Sequence, residues 1–393
     1  MTTPHNIAII PVAATPRALR RFVLFQWRIF RGDRLWVPPL VASQVARLDP
    51  SRGKWFEQGL AAYYAAYRDG HMVGTICCAV DHTLNQATGA KNAVFGYNHY
   101  LPDNAVAAAL WDHAAAWARR RGLERLMGPF DLDYEDAYGV LIEGYDRQPA
   151  LLCGHSPPYY REFVERYGFE PAREQNVALE IPVPDDPSEV DSFARLEALA
   201  QRVRARGRIR VRPANPTDWD GEIDRILALL NRSLAVLPDF MPWTRPRLES
   251  LVEEMEPWID PELALFAEIE GQPVGLALAL PNLNEILARL NGLRHPWDQL
   301  RAPLVARPRP TSFCLKSLVV DPAHWASGVD ALLFHAMYQR ARQRGYRWAD
   351  LSITGAENPM TVRLATRMGA RIYKRWQVYA LPLVEGVLAR YGA

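Results

Sequence analysis

The sequence predicts an α/β architecture made twice, as two tandem domains that each carry a mixed, twisted sheet flanked by helices. Length is the first reason: 393 residues exceed one ordinary domain and suit two of about 150–200 residues. Recurrence is the second. YRDGHMVGTI (67–76) is answered by EIEGQPVGLA (268–277), and ERYGFEPAREQNVALEI (165–181) by TRMGARIYKRWQVYALP (366–382). Gly70 and Gly271 stand 201 residues apart, as do Gly168 and Gly369, and the openings NIAIIPVAATP (6–16) and RIRVRPANPTD (208–218) align at an offset of 202. A nearly constant offset across a half-chain marks a duplication. The third reason is the alternation of short β-patterned runs with helical ones, which calls for a sheet with helices packed on it.

Each element has a local cause. In the first copy 67–76 reads as a hairpin, because Asp69-Gly70 supplies a left-handed turn between apolar runs. A strand follows in FGYNHY, Leu101-Pro102-Asp103 starts a helix over 103–120, and GLERLMG (122–128) is the next strand. The Pro- and Asp-rich PVPDDPSEV (182–190) is a linker, and a helical stretch, 188–206, leads into the second copy. There 208–213 alternates as a strand, and an amphipathic helix over 217–234 follows Pro216. A helix over 246–256 ends near Pro257, and 263–270 with 273–280 make the second hairpin. FCLKSLVVD (313–321) is a long strand. Helix 329–344 places Ala331, Leu332, His335 and Tyr338 at helical spacing, and WADLSI (348–353) is a short strand. TVRLATRMG (361–369) is a helix stopped by Gly369, and RIYKRWQVYAL (371–381) closes the copy. The expected division is an N-terminal domain 1–187, a linker helix 188–207 and a C-terminal domain 208–393. Extra chain sits in different places: an acidic insertion at 130–152 in the first copy and an insertion at 283–310 in the second. Long connections inside compact domains tend to carry function.

Composition excludes several classes. Lys+Arg 46 against Asp+Glu 44 leaves a net charge of +2, without the excess basic charge of a dedicated nucleic-acid binder. No apolar run approaches the ~20 residues that span a bilayer, and the first thirty residues lack a signal peptide's apolar core. Cys77, Cys78, Cys153 and Cys314 form no C-x-x-C pair. The expectation is a reduced, cytoplasmic chain, with the basic run RVRARGRIRVR (202–212) either a solvated face or a point of contact with phosphates or with anionic lipid at the inner membrane. His113, His324 and His335 lack the spacing of metal ligands, so no metal is expected. Twelve Trp and sixteen Tyr leave material for a large aromatic binding surface.

The element order, the (E/D)-G-x-x-V-G hairpins at 69–74 and 270–275, and the helix–Gly–strand endings resemble the GNAT acyl-CoA N-acyltransferase superfamily, twice over and across nearly the whole chain. The resemblance implies a tandem GNAT-like fold and acyl-CoA as co-substrate. In that superfamily the loop after the fourth strand and the following helix N-terminus bind the CoA pyrophosphate, where orphan amides and the helix dipole favour an anion. Here the corresponding stretch is SLVVDPAHWASGVDALL (317–333). Carried over residue by residue, the CoA-binding group is Ala326, Ser327, Gly328, Val329 and Asp330, with the strand backbone of Leu318, Val319 and Val320 beside the thioester. Asn358 stands where the family hydrogen-bonds the pantetheine side, and a helix N-cap is its other reading. Trp325 replaces the family's Gln/Arg, and Asp330 its second Gly/Ala. The first copy has no glycine in its loop at 101–103, so it is expected not to bind CoA.

The family's usual acidic Tyr is missing in both copies, where Val164 and Ala365 stand. Proton transfer must then use other groups, and carboxylates in a partly apolar pocket suit it because burial lifts their pKa. The candidates are Asp133, Glu135 and Asp136 in the acidic insertion, His99 and Tyr159, with Asp131, Tyr138, Glu143, Asp146, His155 and Tyr160 nearby. The insertion at 283–303 spaces Leu283, Ile286, Leu287, Leu290, Leu293, Trp297 and Leu300 by three or four, which predicts one apolar helical face covering an acyl tail or the seam between domains. The resemblance extends to the long duplicated bacterial members, a group that includes bacterial ceramide synthases. The expected reaction is transfer of an acyl group, long-chain by that analogy, from CoA to an amine such as a sphingoid base. A small-amine N-acetyltransferase and a non-catalytic GNAT-fold binding protein are the alternatives.

Overall fold

The computed structural model describes residues 7–132, 139–149, 151–236, 242–245, 248–249 and 259–383. The first half runs β1 (Ala8–Val12), α1 (Pro16–Leu24), α2 (Gln26–Ile29), α3 (Val41–Leu48), β2 (Gly59–Arg68), β3 (His71–Asp81), α4 (His82–Thr88), β4 (Asn92–Tyr100), α5 (Asn104–Arg119), β5 (Arg125–Gly128), β6 (Val140–Glu143), α6 (Tyr159–Tyr167), β7 (Glu170–Pro171) and β8 (Asn176–Pro182). After α7 (Asp191–Ala205), the second half runs β9 (Ile209–Pro213), α8 (Trp219–Leu234), β10 (Ala264–Ile269), β11 (Gln272–Pro281), α9 (Asn284–Leu290) and α10 (Pro296–Val305). It closes with β12 (Ser312–Val320), α11 (Val329–Gln343), β13 (Trp348–Gly355), α12 (Pro359–Arg367), β14 (Arg371–Gln377) and β15 (Tyr379–Pro382). The helix expected at 246–256 falls almost wholly outside the described residues.

The duplication is visible in backbone angles. Both hairpin turns put an acid and a glycine in the left-handed region: Asp69 and Gly70 at φ 50° and 76°, Glu270 and Gly271 at 51° and 78°. Both copies end their last helix on a left-handed glycine, Gly168 at 103° and Gly369 at 93°.

The strand expected at 371–381 is broken at Val378, and the break changes sheets. One sheet has the order β1-β2-β3-β4-β5-β15-β7, the other β6-β14-β8-β13-β12-β11-β10-β9. The second half's last strand β15 therefore lies in the first half's sheet, antiparallel to β5 and β7. The first half's last strand β8 lies in the second sheet, between β13 and β14. The insertion's strand β6 adds to that sheet's edge on β14. Each sheet is completed by the other half. Packing follows the same plan: Tyr379 and Leu381 are buried with Trp111 and Trp117 of α5, and Val177, Leu179 and Ile181 with Phe193, Leu333 and Met337 under α7 and α11.

Candidate functional site

Each sheet contains a fork, a parallel pair of strands that begins together and then parts. In the second sheet β12 and β13 pair only at Ser312, Phe313 and Cys314 against Trp348, Ala349 and Asp350. Beyond that point β12 stays with β11 while β13 follows β8. In the first sheet β4 and β5 pair only from Asn92 to Val94.

The two forks differ in what fills them. In the first, the chain after β5 turns back between the strands. Phe130 N–H donates to Phe95 O at 2.9 Å, and Tyr97 N–H to Asp131 Oδ1 at 3.3 Å. Phe130 and Leu132 are fully buried there, and Asp131's carboxyl is raised by its burial, with Arg47 acting against the rise. Gly96 is required, because a Cβ at that position would stand 1.5 Å from Phe130 O. The start of the acidic insertion is thus a plug.

The second fork is roofed by chain from the other half. Lys316 of β12 donates to Leu151 O at 3.1 Å, and Leu151 packs with Cys314 and Leu283. Cys153, Ile353 and Tyr373 pack against the buried cluster of Leu141, Ala178 and Trp376, Trp376 Nε1 donates to Gly154 O at 2.9 Å, and Leu141 N–H to Ser156 Oγ at 3.0 Å. The two insertions meet here, since Asn284 Nδ2 donates to Pro149 O at 2.8 Å. At the base of the fork lies the buried Asp350, with the Cys314 thiol 3.7 Å from its Oδ2. On the opposite face Phe313, Leu315, Ala349 and Leu351 line an apolar cleft beneath Phe193 and Met337.

One residue of the roof has the chemistry of a base. His155 Nε2 lies 2.8 Å from Asp33 Oδ2, while Asp33 Oδ1 accepts the amides of Leu35 and Trp36 at 2.8 and 3.3 Å. His155 Nδ1 is buried and has no partner among the described residues. Burial pushes the His155 imidazole below its usual 6.5, the Asp33 contact partly offsets this, and nearby Lys374 adds to the depression. Lys374 is itself fully buried. Its ammonium donates to Gly144 O, and burial pushes it down from 10.5 to about 8. Asp33, Asp350, Tyr373 and Lys374 were not singled out by the sequence reading. The signal was present for Lys374, which stands two residues before Trp376 and so on the same face of a strand; a lysine beside a buried tryptophan there is a buried charge.

The positions expected from sequence distribute as follows. Asp133, Glu135, Asp136 and Tyr138 lie outside the described residues. His99 is on β4, with Nδ1 buried and unpartnered among the described residues and its ring 6.0 Å from Phe30. Burial lowers it to about 3, which makes it a weak proton acceptor at neutral pH. Phe30 is also 5.6 Å from His155, so the two imidazoles flank one ring. Tyr159 donates to Tyr100 O at 2.7 Å within a stack of tyrosines. His335 is held between Glu197 and Arg204 of α7, at 2.7 and 2.9 Å. Among the described residues no group of three His, Cys, Asp or Glu could hold a metal.

At the CoA loop, Leu318, Val319 and Val320 form the half-buried end of β12. Trp325 Nε1 donates to Val320 O at 3.0 Å. Ala326 and Gly328 are left-handed at φ 60° and 91° and bring the chain into the first turn of α11, at Val329 and Asp330. The amides of that turn lack intrahelical acceptors, which suits a phosphate. Gly328's Cα faces inward: a Cβ would stand 2.6 Å from Val203 Cγ2. Its need for glycine is therefore met by the linker helix as well as by its angle. Asn358 caps α12, accepting from Thr361 N–H at 3.2 Å, and reaches Thr354 Oγ1 at 3.2 Å.

The expected single apolar helix at 283–303 is two helices with a left-handed break at Asn291–Leu293. Leu283, Ile286 and Leu290 are buried, whereas Trp297, Leu300 and Leu304 are exposed.

Residues 232–370 match the acetyltransferase (GNAT) family. Bacterial ceramide synthase of Caulobacter vibrioides is 28% identical over 388 residues, covering 96% of this chain and 98% of its own. Protein YghO of Escherichia coli is 24% identical over 366 residues, 92% of each chain. Among solved structures, a tandem GNAT protein from the clavulanic acid biosynthesis pathway superposes with a TM-score of 0.58 at 14% identity, over 97% of this chain and all of that one. Members of this family use a CoA thioester as acyl donor and an amine as acceptor. The second half thus carries a GNAT acetyltransferase-family region, and the chain as a whole has the fold of a tandem GNAT protein and end-to-end similarity to an N-acyltransferase.

Proposed function

We propose that the protein transfers a long acyl chain from CoA to a lipid amine of the sphingoid-base class. In this reading the half at 208–393 holds CoA, and the half at 1–187 supplies the acceptor side. The observation that carries the reading is the second fork, which no segment of its own half plugs among the described residues and which Leu151–Ser156 of the other half roof, with His155 among them. End-to-end similarity to a bacterial ceramide synthase supports a long chain.

The CoA pyrophosphate is assigned to the amides of 326–330, the thioester to the backbone of Leu318–Val320, and the pantetheine side to Asn358. His155 is the proton acceptor. Burial holds it neutral at pH 7, and Asp33 fixes Nε2 so that Nδ1 is the basic nitrogen. The amine nitrogen bonds to the thioester carbon, the C–S bond breaks, the amine proton passes to His155 Nδ1, and the thiolate leaves and is protonated to free CoA. The products are an amide and CoA. Asp133, Glu135 and Asp136 are the competing acceptors.

A donor series from acetyl-CoA to stearoyl-CoA, against a long-chain amino alcohol and a short amine, tests the reading. The expected result is turnover with long donors on the amino alcohol alone. Preference for acetyl-CoA on the short amine would leave a small-amine N-acetyltransferase. Turnover kept in His155→Gln and lost in the three alanine variants would move the base into the acidic insertion.

A further inference from the structure

The insertion that meets the fork also carries the most exposed large apolar side chains among the described residues. Its first helix, α9, is tucked in, with Ile286 and Leu290 buried and Leu283, just before it, packed with Leu151 and Cys314. Its second, α10, stands out: Trp297 is 74% exposed, Leu300 73% and Leu304 63%. Spacings of three and four put these side chains on one helical face. A tryptophan and two leucines in water on one face call for a partner.

Charge around the face identifies the partner. Residues 285–309 hold five arginines and two acids. Both acids are engaged by backbone amides, Glu285 by Thr311 and Ser312 at 2.9 and 3.0 Å and Asp298 by His295 at 3.0 Å. Arg301, Arg307 and Arg309 are exposed and pair with no carboxylate among the described residues. The basic surface continues into the first half, where exposed Arg20 donates to Arg294 O at 2.6 Å. A helix with an apolar face rimmed by arginine has the chemistry of an element lying in the interface of an anionic bilayer.

We infer that α10 docks the protein on an acidic phospholipid surface, with Trp297, Leu300 and Leu304 inserted and Arg301, Arg307 and Arg309 on the headgroups. Binding of this kind requires no turnover, so it stands or falls apart from the acceptor assignment.

The test is co-sedimentation of the full chain with vesicles of phosphatidylcholine, with and without phosphatidylglycerol, at low and high salt. The wild type should sediment with the anionic vesicles and be released by salt. Trp297→Ser, Leu300→Ser and Leu304→Ser combined should weaken binding at least tenfold, about 1.4 kcal/mol, with an unchanged circular dichroism spectrum. Replacing Arg301, Arg307 and Arg309 by Gln should cost about fivefold per arginine. No sedimentation of the wild type, equal binding to vesicles without phosphatidylglycerol, or full binding by the triple serine variant would each overturn the inference. Analytical ultracentrifugation gives the remaining outcome: a dimer in the wild type that the serine variant abolishes would make the face a contact between copies, and the inference would be wrong.

Discussion

Lys374 makes the protein more stable as pH rises through a range where many proteins begin to weaken. Its ammonium is fully buried on β14. Burial depresses it from 10.5 to about 8; Asp146 opposes the shift, Arg147 adds to it, and Cys153 and Asp33 oppose it. Unfolding returns the side chain to water and to its ordinary affinity. Between pH 8 and 10.5 the unfolded chain therefore binds about one more proton than the folded one, and stability rises with pH wherever that holds. At about 1.36 kcal/mol per pKa unit, the whole effect is about 3 kcal/mol, of which about 2 kcal/mol falls between pH 7 and pH 9.5. Above that window buried tyrosines such as Tyr100 and Tyr160, whose hydroxyls burial raises, pull the other way. Lys374→Met keeps the length of the chain and removes the titration. Urea midpoints for both proteins, measured from pH 7 to 9.5 at constant ionic strength, give the difference free of groups they share. The stability of the wild type relative to the variant should rise by about 2 kcal/mol. A difference that stays flat would refute the buried-charge account.

Other expectations follow from the forks, the roof and the exchanged strands. His155→Gln should lower kcat by about 10²–10⁴ in the acyl-transfer assay. Asp33→Asn should lower it less and move the acid limb of kcat/KM to lower pH, because Asp33 raises the imidazole; an unmoved limb would exclude His155 as the titrating base. Asp330→Asn should tighten CoA binding several-fold, about 1 kcal/mol, read by thermal shift, since it removes a carboxylate from the helix N-terminus. Gly96→Ala forces a Cβ onto Phe130 O and should cost about 3 kcal/mol or more; an unchanged melting temperature would show that the plug is loose. Cutting the chain before Tyr379 should expose the first half to limited proteolysis around β5, although the residues removed belong to the second.

Local rules were legible and partners were not. Asp69-Gly70, Glu270-Gly271, Gly168 and Gly369 are determined by backbone angle alone, so their turns and stops could be read from the residues. The plan of sheet and helix followed from periodicity. A β pattern says which face of a strand is buried and nothing about its neighbour in the sheet, so the crossing of β8 and β15 left no trace in RIYKRWQVYAL. The plug in the first fork was equally hidden, because FDLD reads as an acidic loop until Phe130 is seen bonded to Phe95. The Asp33–His155 pair spans 122 residues, and no spacing rule joins residues so far apart. The apolar spacing of 283–303 was read correctly as spacing and wrongly as one helix, since Asn291 and Gly292 allow the left-handed break that turns half of it outward.

The exchange of β8 and β15 also sets an order in time. Ribosomal synthesis usually lets an N-terminal domain finish folding while the rest of the chain is made. Here the first sheet has a gap between β5 and β7 that only residues 379–382 fill. At roughly 5–20 residues per second, the stretch from β5 to β15 takes on the order of tens of seconds to make. Throughout that interval the first half presents the unpaired edge of β5 beside a largely formed core. An unpaired strand edge is a pairing hazard, and the first sheet is not complete until residues 379–382 have been made.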